Sequence, residues 1–394
     1  MQIIETPINA SFDFDVTLLS YPQVSNQQIL FFDIETTGFS AAMSYVYLIG
    51  CAYFDRSTLL LRQWFMEDIS EEVELLTNFF EFLKSYRLLV HYNGSGFDIP
   101  YLLQKCSAYH LSYNFDHLIS LDIYKQLLPY KKTLPVMNLK LKTVEDFLKV
   151  KRTDSYSGGE LIPVFTRFLA LYTYEKKHAS GTSHYQVSPV SGLPSIEKSN
   201  SGTLRQLLLL HNTEDILNLP QILPMLSYVK LFEGNIVLTK WEFTEQSVNF
   251  YFNIMNRLPA YLTLESNYEV MGNLYSITLN ARENEGCISI TYYHGTLKFY
   301  LDNYKDYYYL PLEDTAVHKS VGEYVEKEYR QNAKPDTCYL KKTGYFLPQP
   351  YAMFTPGFRT ERKQKQQFFE ITEQLLEQHS EKIAAEILRS CFKP

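Results

Sequence analysis

The first 230 residues alternate between short apolar runs and longer segments with helical spacing. Runs at 29–34, 44–54, 58–66, 88–91 and 118–123 predict five strands. Apolar residues recur every three or four positions in the segments between and after them, at 70–83, 97–109, 140–150, 160–174 and 204–230. Strand–helix–strand connections imply parallel pairing of the later strands. The pattern predicts an α/β domain on a mixed five-stranded sheet flanked by helices.

Two features of the pattern divide the chain further. Residues 178–203 are rich in Ser, Gly and Pro, which predicts a flexible insertion within a first domain of residues 1–234. Pro220 and Pro224 predict a break in the helix over 204–230. From 235 onwards short alternating runs predict a smaller β-rich domain over 235–394, and 359–390 predict a polar C-terminal helix.

Composition narrows the class of protein. A hydrophobic content of 45% over 394 residues can build buried cores, and the odd set of five cysteines has no metal-binding spacing. No uncharged apolar run could span a bilayer and the N-terminus lacks a basic signal region, so we expect a cytoplasmic protein. The net charge of −7 argues against a broad basic footprint for nucleic acid.

Acidic residues in three separated motifs are the strongest chemical signal. Asp33 and Glu35 lie in ILFFDIETTGF, Asp98 in HYNGSGFDIPYL, and Asp215 in HNTEDILNL. Alternation by two puts Asp33 and Glu35 on one face of a strand end, and parallel pairing of the first and fourth strands would bring Asp98 beside them. Singly, each acid is as well explained as a loop or helix-start residue.

Carboxylates can share one pocket only if cations neutralise them. Hard oxygen ligands suit Mg²⁺ or Mn²⁺, and two such ions about 4 Å apart clamp the attacking and leaving oxygens of a phosphodiester. The four acids taken together therefore predict a site for two divalent metal ions.

The three motifs resemble those of the DEDD-type 3′→5′ exonucleases, which have a ribonuclease H-like fold. Over about residues 25–230 the chain is similar to the YprB-type ribonuclease H-like proteins. The resemblance implies that Asp33 bridges both metals, that Glu35 binds one and orients the attacking water, and that Asp98 and Asp215 complete the ligand set. It also implies release of nucleoside 5′-monophosphates from a 3′ end.

The third motif departs from both subclasses of that superfamily. The histidine subclass places its base five residues before the last aspartate, whereas the tyrosine subclass places Tyr four before it. This chain has His211 four residues before Asp215, which puts both on one helix face. We predict that His211 is the general base; the alternative is that it only hydrogen-bonds the shell of Asp215 or caps a turn.

The sequence thus predicts a hydrolase that cuts DNA or RNA at a single-stranded 3′ end. A structure-selective endonuclease on the same fold is one alternative. A catalytically silent nucleic-acid-binding or scaffold protein is the other, and the presence of all four acids argues against it.

Overall fold

The chain divides into two units, each with its own sheets. The computed structural model describes residues 1–8, 16–19, 21–56, 58–178 and 199–392. Unit 1 comprises Met1–Lys131 and Val136–Leu226, and unit 2 comprises Lys132–Pro135 and Ser227–Pro394. Most of the insertion predicted over 178–203 lies outside the described residues; of its two ends, His178 and Ser201 are helical.

Unit 1 is built on a mixed sheet with the strand order β1-β4-β3-β2-β5-β6. The strands are β1 (Gln2–Ile8), β2 (Ile29–Thr36), β3 (Val46–Asp55), β4 (Thr58–Phe65), β5 (Leu88–His91) and β6 (Ile119–Asp122). β2 pairs parallel with β5, as predicted. The sheet has six strands rather than the predicted five, because β1 pairs antiparallel with the outer side of β4. β1 was not predicted because Pro7 and its polar residues interrupt the apolar pattern of a strand. An edge strand accommodates both kinds of residue.

Six helices complete unit 1 within the described residues. They are α1 (Glu72–Leu83), α2 (Asp98–Ala108), α3 (Ile123–Leu127), α4 (Leu141–Phe147), α5 (Gly158–His178) and α6 (Ser201–Ile222). α6 is followed by a 3₁₀ turn, Leu223–Met225, before α7 (Leu226–Phe232) begins. The break predicted from the prolines is therefore confirmed, and it lies at Pro224, since α6 continues through Pro220. A proline ring fits the first turn of a helix, where no amide partner is lost.

Unit 2 is rich in β-structure, as predicted. A five-stranded antiparallel sheet has the order β7-β8-β11-β10-β9, and two three-stranded sheets have the orders β12-β16-β17 and β14-β13-β15. The elements are β7 (Ile236–Phe243), β8 (Ser247–Ile254), β9 (Leu262–Val270), β10 (Asn273–Arg282), β11 (Glu285–Thr291), β12 (Tyr293–Tyr300), β13 (Tyr307–Leu310), β14 (Thr315–His318), α8 (Lys319–Gly322), β15 (Gln331–Asn332), β16 (Tyr339–Gln349) and β17 (Gln367–Glu370).

The C-terminal helix α9 (Glu373–Cys391) is shorter than the predicted span of 359–390. Thr372 accepts a hydrogen bond from the Leu375 amide at 3.2 Å and so fixes the start of α9. The residues before it form β17, whose Phe368 and Phe369 are buried. Among the described residues, no helix combines the length and the apolar character that crossing a membrane requires.

The centre of unit 1 is the contact between β2, β3 and α6. Residues 29–32 of β2 are all buried, which is typical of a central strand covered on both faces. α6 crosses β3 at Gly50, the residue that pairs with Asp33 of β2. A Cβ atom on Gly50 would lie 2.0 Å from Oδ1 of Asn212 and 2.3 Å from Cδ1 of Ile216. Only a residue without a side chain lets the backbone of β3 approach α6 this closely.

Gly50→Ala is therefore expected to destabilise the protein by about 1–3 kcal/mol, the usual cost of overpacking, because the side chains of Asn212 and Ile216 must be displaced. Gly159→Ala is the matched control, since its Cβ would meet nothing within 4 Å. Chemical denaturation of both variants measures the difference. Equal stability of Gly50→Ala and the parent would contradict the close approach described here.

Candidate active site

The first two acids lie at the carboxyl end of β2. Asp33 pairs with Gly50 and Glu35 with Leu48 on the neighbouring strand β3. Glu35 is 6% exposed, and its Oε2 lies 3.8 Å from where a Cβ of Gly158 would be, at the first residue of α5. The strand end therefore brings the Glu35 carboxylate close to the N-terminus of α5.

The second motif brings Asp98 to the same edge of the sheet. β5 ends at His91, and the chain turns through Asn93, whose φ is 60°, before α2 begins at Asp98. Asp122 at the end of β6 holds this turn, because its carboxylate accepts the amides of Asn93 at 2.8 Å and Ser95 at 3.1 Å. Gly94 keeps the turn tight, since a Cβ there would lie 2.7 Å from Nδ1 of His91.

The third motif lies on the face of α6 that packs on the sheet. Nε2 of His211 is 3.4 Å from Oδ2 of Asp215 and 3.6 Å from Oε1 of Glu35. Between them, Asn212 donates to Oδ2 of Asp33 at 3.2 Å. Gln63 fixes the orientation of that amide by donating to its Oδ1 at 3.0 Å. The structure thus brings together all five side chains that the sequence singled out.

The buried carboxylates of this site repel one another. Burial raises the pKa of Asp33 well above its usual value, and the charges of Asp98 and Asp215 raise it further. The pKa of Glu35 is raised by burial first and then by the same two neighbours. Burial also raises the pKa of Asp98 to about 7, against hydrogen bonds from the backbone amides of Asp98 and Ile34. Each acid therefore disfavours ionisation of the others unless a cation joins them.

A second layer of charges surrounds His211. Nδ1 of His211 lies 2.5 Å from Oδ2 of Asp154, and Arg152 forms ion pairs with Asp154, Asp215 and Glu145. The side chain of Arg152 is 9% exposed. Burial favours its neutral form, but the charges of Asp215 and Glu145 outweigh burial and raise the pKa of Arg152.

These residues around His211 were not predicted from the sequence. Arg152 precedes a Ser/Gly-rich turn and reads as an exposed basic residue, and Asp154 reads as part of that turn. No sequence motif or spacing singles out Asn212 or Glu145. Glu214 beside Asp215 was the one available hint, and in the structure its carboxylate lies 3.8 Å from Nε of Arg152.

The donor set fits divalent metal ions. Glu35, His211 and Asp215 each offer a ligand atom, and these atoms lie within 4.8 Å of one another. Asp33 adjoins this group, because its Oδ2 accepts from Asn212 at 3.2 Å, and Asp98 accepts the backbone amide of Ile34, the residue between Asp33 and Glu35. Arg152 pairs with Oδ1 of Asp215, whereas Oδ2 faces His211. Crowded oxygen ligands with unfavourable mutual repulsion are what a hard cation stabilises.

Comparison with known proteins bears on the fold of this unit. Residues 30–185 match the family model RNase_H_2, described as RNase_H superfamily. Unit 1 has a ribonuclease H-like fold. The matched segment of this ribonuclease H-like unit includes Asp33, Glu35 and Asp98 and ends before α6. No curated protein matches the chain.

Among solved structures, the chain is similar to the family B DNA polymerase from the hyperthermophilic archaeon Pyrobaculum calidifontis. The identity is 13% and the TM-score 0.35, and the match covers 68% of this chain and 33% of the polymerase. A TM-score this low supports no inference, so the fold rests on the family match and the sheet order. The narrower resemblance to DEDD-type and YprB-type proteins stays a prediction.

Asp98→Asn is expected to raise the melting temperature of the metal-free protein at pH 8 by several degrees, and by less at pH 5. The folded protein binds the Asp98 proton more tightly than the unfolded chain does, because its pKa rises from 3.8 to about 7. Stability is therefore lost as the pH rises through this window, and the neutral amide avoids the loss. The measurement is thermal unfolding with a chelator present.

The exposed residue Asp116 supplies the control, as Asp116→Asn removes one charge outside the pocket. An Asp98→Asn protein that melts below the parent at pH 8 would contradict the proposed repulsion.

Proposed function

We propose that the protein is a metal-dependent 3′→5′ exonuclease that hydrolyses phosphodiester bonds of DNA or RNA. The observation that carries this proposal is the convergence of Asp33, Glu35, Asp98 and Asp215 from three separate segments on one pocket, where burial and like charge raise the pKa of three of them. The similarity of residues 30–185 to the RNase_H superfamily supports a nuclease.

These four carboxylates would hold two divalent ions, Mg²⁺ or Mn²⁺, which supply charge stabilisation for the attacking and leaving oxygens of the phosphodiester. Asn212 would orient Asp33, since its amide donates to Oδ2 of that residue. Glu35 would orient the attacking water, since its Oε1 lies 3.6 Å from Nε2 of His211.

In this proposal His211 is the general base. Its Nε2 faces Glu35 and Asp215, and its other nitrogen is engaged by Asp154. Water attacks the phosphorus as one of its protons passes to Nε2, and the bond from phosphorus to the 3′ oxygen of the preceding nucleotide breaks. The 3′ oxygen leaves with the bonding electron pair and takes up a proton from solvent to become a hydroxyl. A free lone pair on Nε2 is required for this step.

The polarity of the proposed reaction comes from the motifs, which resemble those of 3′→5′ exonucleases. A net charge of −7 argues against a broad basic surface that binds a duplex along its length. An enzyme that takes hold of a strand end through metal-bound phosphate needs fewer basic contacts. A single-stranded 3′ end is therefore the proposed substrate.

The test is incubation of the purified protein with single-stranded DNA and RNA, each labelled at the 5′ end, with and without Mn²⁺. We expect a ladder that shortens from the 3′ end and depends on the metal. The rate of Asp33→Ala should be at least about 1,000-fold lower than that of the parent, which is on the order of the loss caused by removing one essential catalytic group. Asp55→Asn is the control, because Asp55 is the exposed last residue of β3.

Circular single-stranded DNA separates the alternatives. Its cleavage would identify an endonuclease, and no metal-dependent cleavage of any substrate would favour the silent scaffold. Parental activity in Asp33→Ala would remove this pocket from consideration altogether.

A further inference from the structure

His211 has two ring nitrogens that face different groups, and the structure distinguishes their tasks. Nε2 faces the carboxylates of Glu35 and Asp215, whereas Nδ1 faces Asp154. We propose that Asp154 is a positioning residue that holds His211 in the tautomer with its proton on Nδ1, so that Nε2 is free to accept a proton. The catalytic consequence rests on the proposed function, but the tautomer itself does not.

The contact distances decide which atom carries the proton. Oδ2 of Asp154 lies 2.5 Å from Nδ1, and a carboxylate can only accept in this contact. The other neighbour of Nδ1 is the guanidinium of Arg152, which only donates and lies 3.5 Å away. The shorter contact dominates, and it requires a proton on Nδ1.

Asp154 does not depend on the imidazole for its place. The amides of Thr153 and Asp154 both donate to the carboxylate of Glu214 at 2.8 Å, which fastens the segment to α6 one turn after His211. Oδ1 of Asp154 accepts the amide of Tyr156 at 3.1 Å. The carboxylate is thus oriented by the backbone before it engages His211.

Arg152 secures the same segment from the other side. It donates from one nitrogen to both oxygens of Glu145, at 3.2 and 3.3 Å, and Glu145 accepts the amide of Asn218 at 3.0 Å. Residues 211, 214, 215 and 218 fall on one face of α6, so the whole segment lies along that face. Asp154 is at its centre, with a fully buried side chain.

Without the carboxylate of Asp154, the imidazole ring of His211 could change its tautomer and rotate. The opposite tautomer carries its proton on Nε2 and cannot accept another there, and a rotated ring would no longer face Glu35. Partners of this kind, which act on an active-site histidine through its second nitrogen, change activity by about 10- to 100-fold when they are replaced.

The first experiment is a double-mutant cycle on turnover in the presence of Mn²⁺. Asp154→Asn should reduce the rate by about 10- to 100-fold in the parent, with KM little changed, and should have no further effect in a His211→Ala background. Asp146→Asn, an exposed position on α4, is the control. An equal loss in both backgrounds would mean that Asp154 acts on stability or on another group, and would overturn the proposal.

The second experiment needs neither activity nor a metal. Long-range ¹H–¹⁵N spectra of histidine-labelled, metal-free protein at pH 8 report the protonation of each ring nitrogen, and comparison with His211→Ala assigns the signals of His211. The proposal predicts that Nδ1 is protonated in the parent, because it donates to Asp154. An unprotonated Nδ1 in the parent overturns it, whether or not Asp154→Asn folds. An inactive parent with the predicted pattern would count against the exonuclease alone.

Discussion

Repulsion among buried carboxylates is the constraint on which the rest of unit 1 depends. Asp33, Glu35 and Asp98 all have a raised pKa, and burial is the largest cause in each case. A fold gains nothing in stability from such a pocket, because each ionised acid makes the next one costlier. Bound cations would relieve this repulsion, which is why the arrangement supports the proposed metal site.

Several features of the fold position the acidic side chains of this site. Gly50 lets α6 approach β3 so that Asn212 reaches Asp33, and Asp122 holds the turn that delivers Asp98. Arg152 supplies a permanent positive charge beside Oδ1 of Asp215, whereas Oδ2 of Asp215 faces Nε2 of His211. A buried ion pair of this kind contributes little net stability, since desolvation offsets its attraction. Its evident effect is to fix where Asp215, Asp154 and His211 lie.

The sequence predicted the parts of this site that local pattern encodes. Asp33 and Glu35 follow an unmistakable apolar run, and Asp215 and His211 share a helix face by spacing alone. β1 was not predicted, because an edge strand that contains a proline shows no clear alternation of apolar and polar residues. α9 was predicted too long, because the residues of β17 were included in the helix. Arg152 and Asp154 could not be found from pattern: their importance comes from packing a loop against α6, a contact across some 60 residues of chain.

The central claim is that the four carboxylates together bind two metal ions, and calorimetric titration of the metal-free protein with Mn²⁺ tests it most directly. We expect two ions bound per chain, and a loss of at least one of them in each of Glu35→Gln, Asp98→Asn and Asp215→Asn. Those three substitutions come from the three separate segments that meet in the pocket. Binding that is absent in the parent, or that persists unchanged in all three variants, would contradict the account.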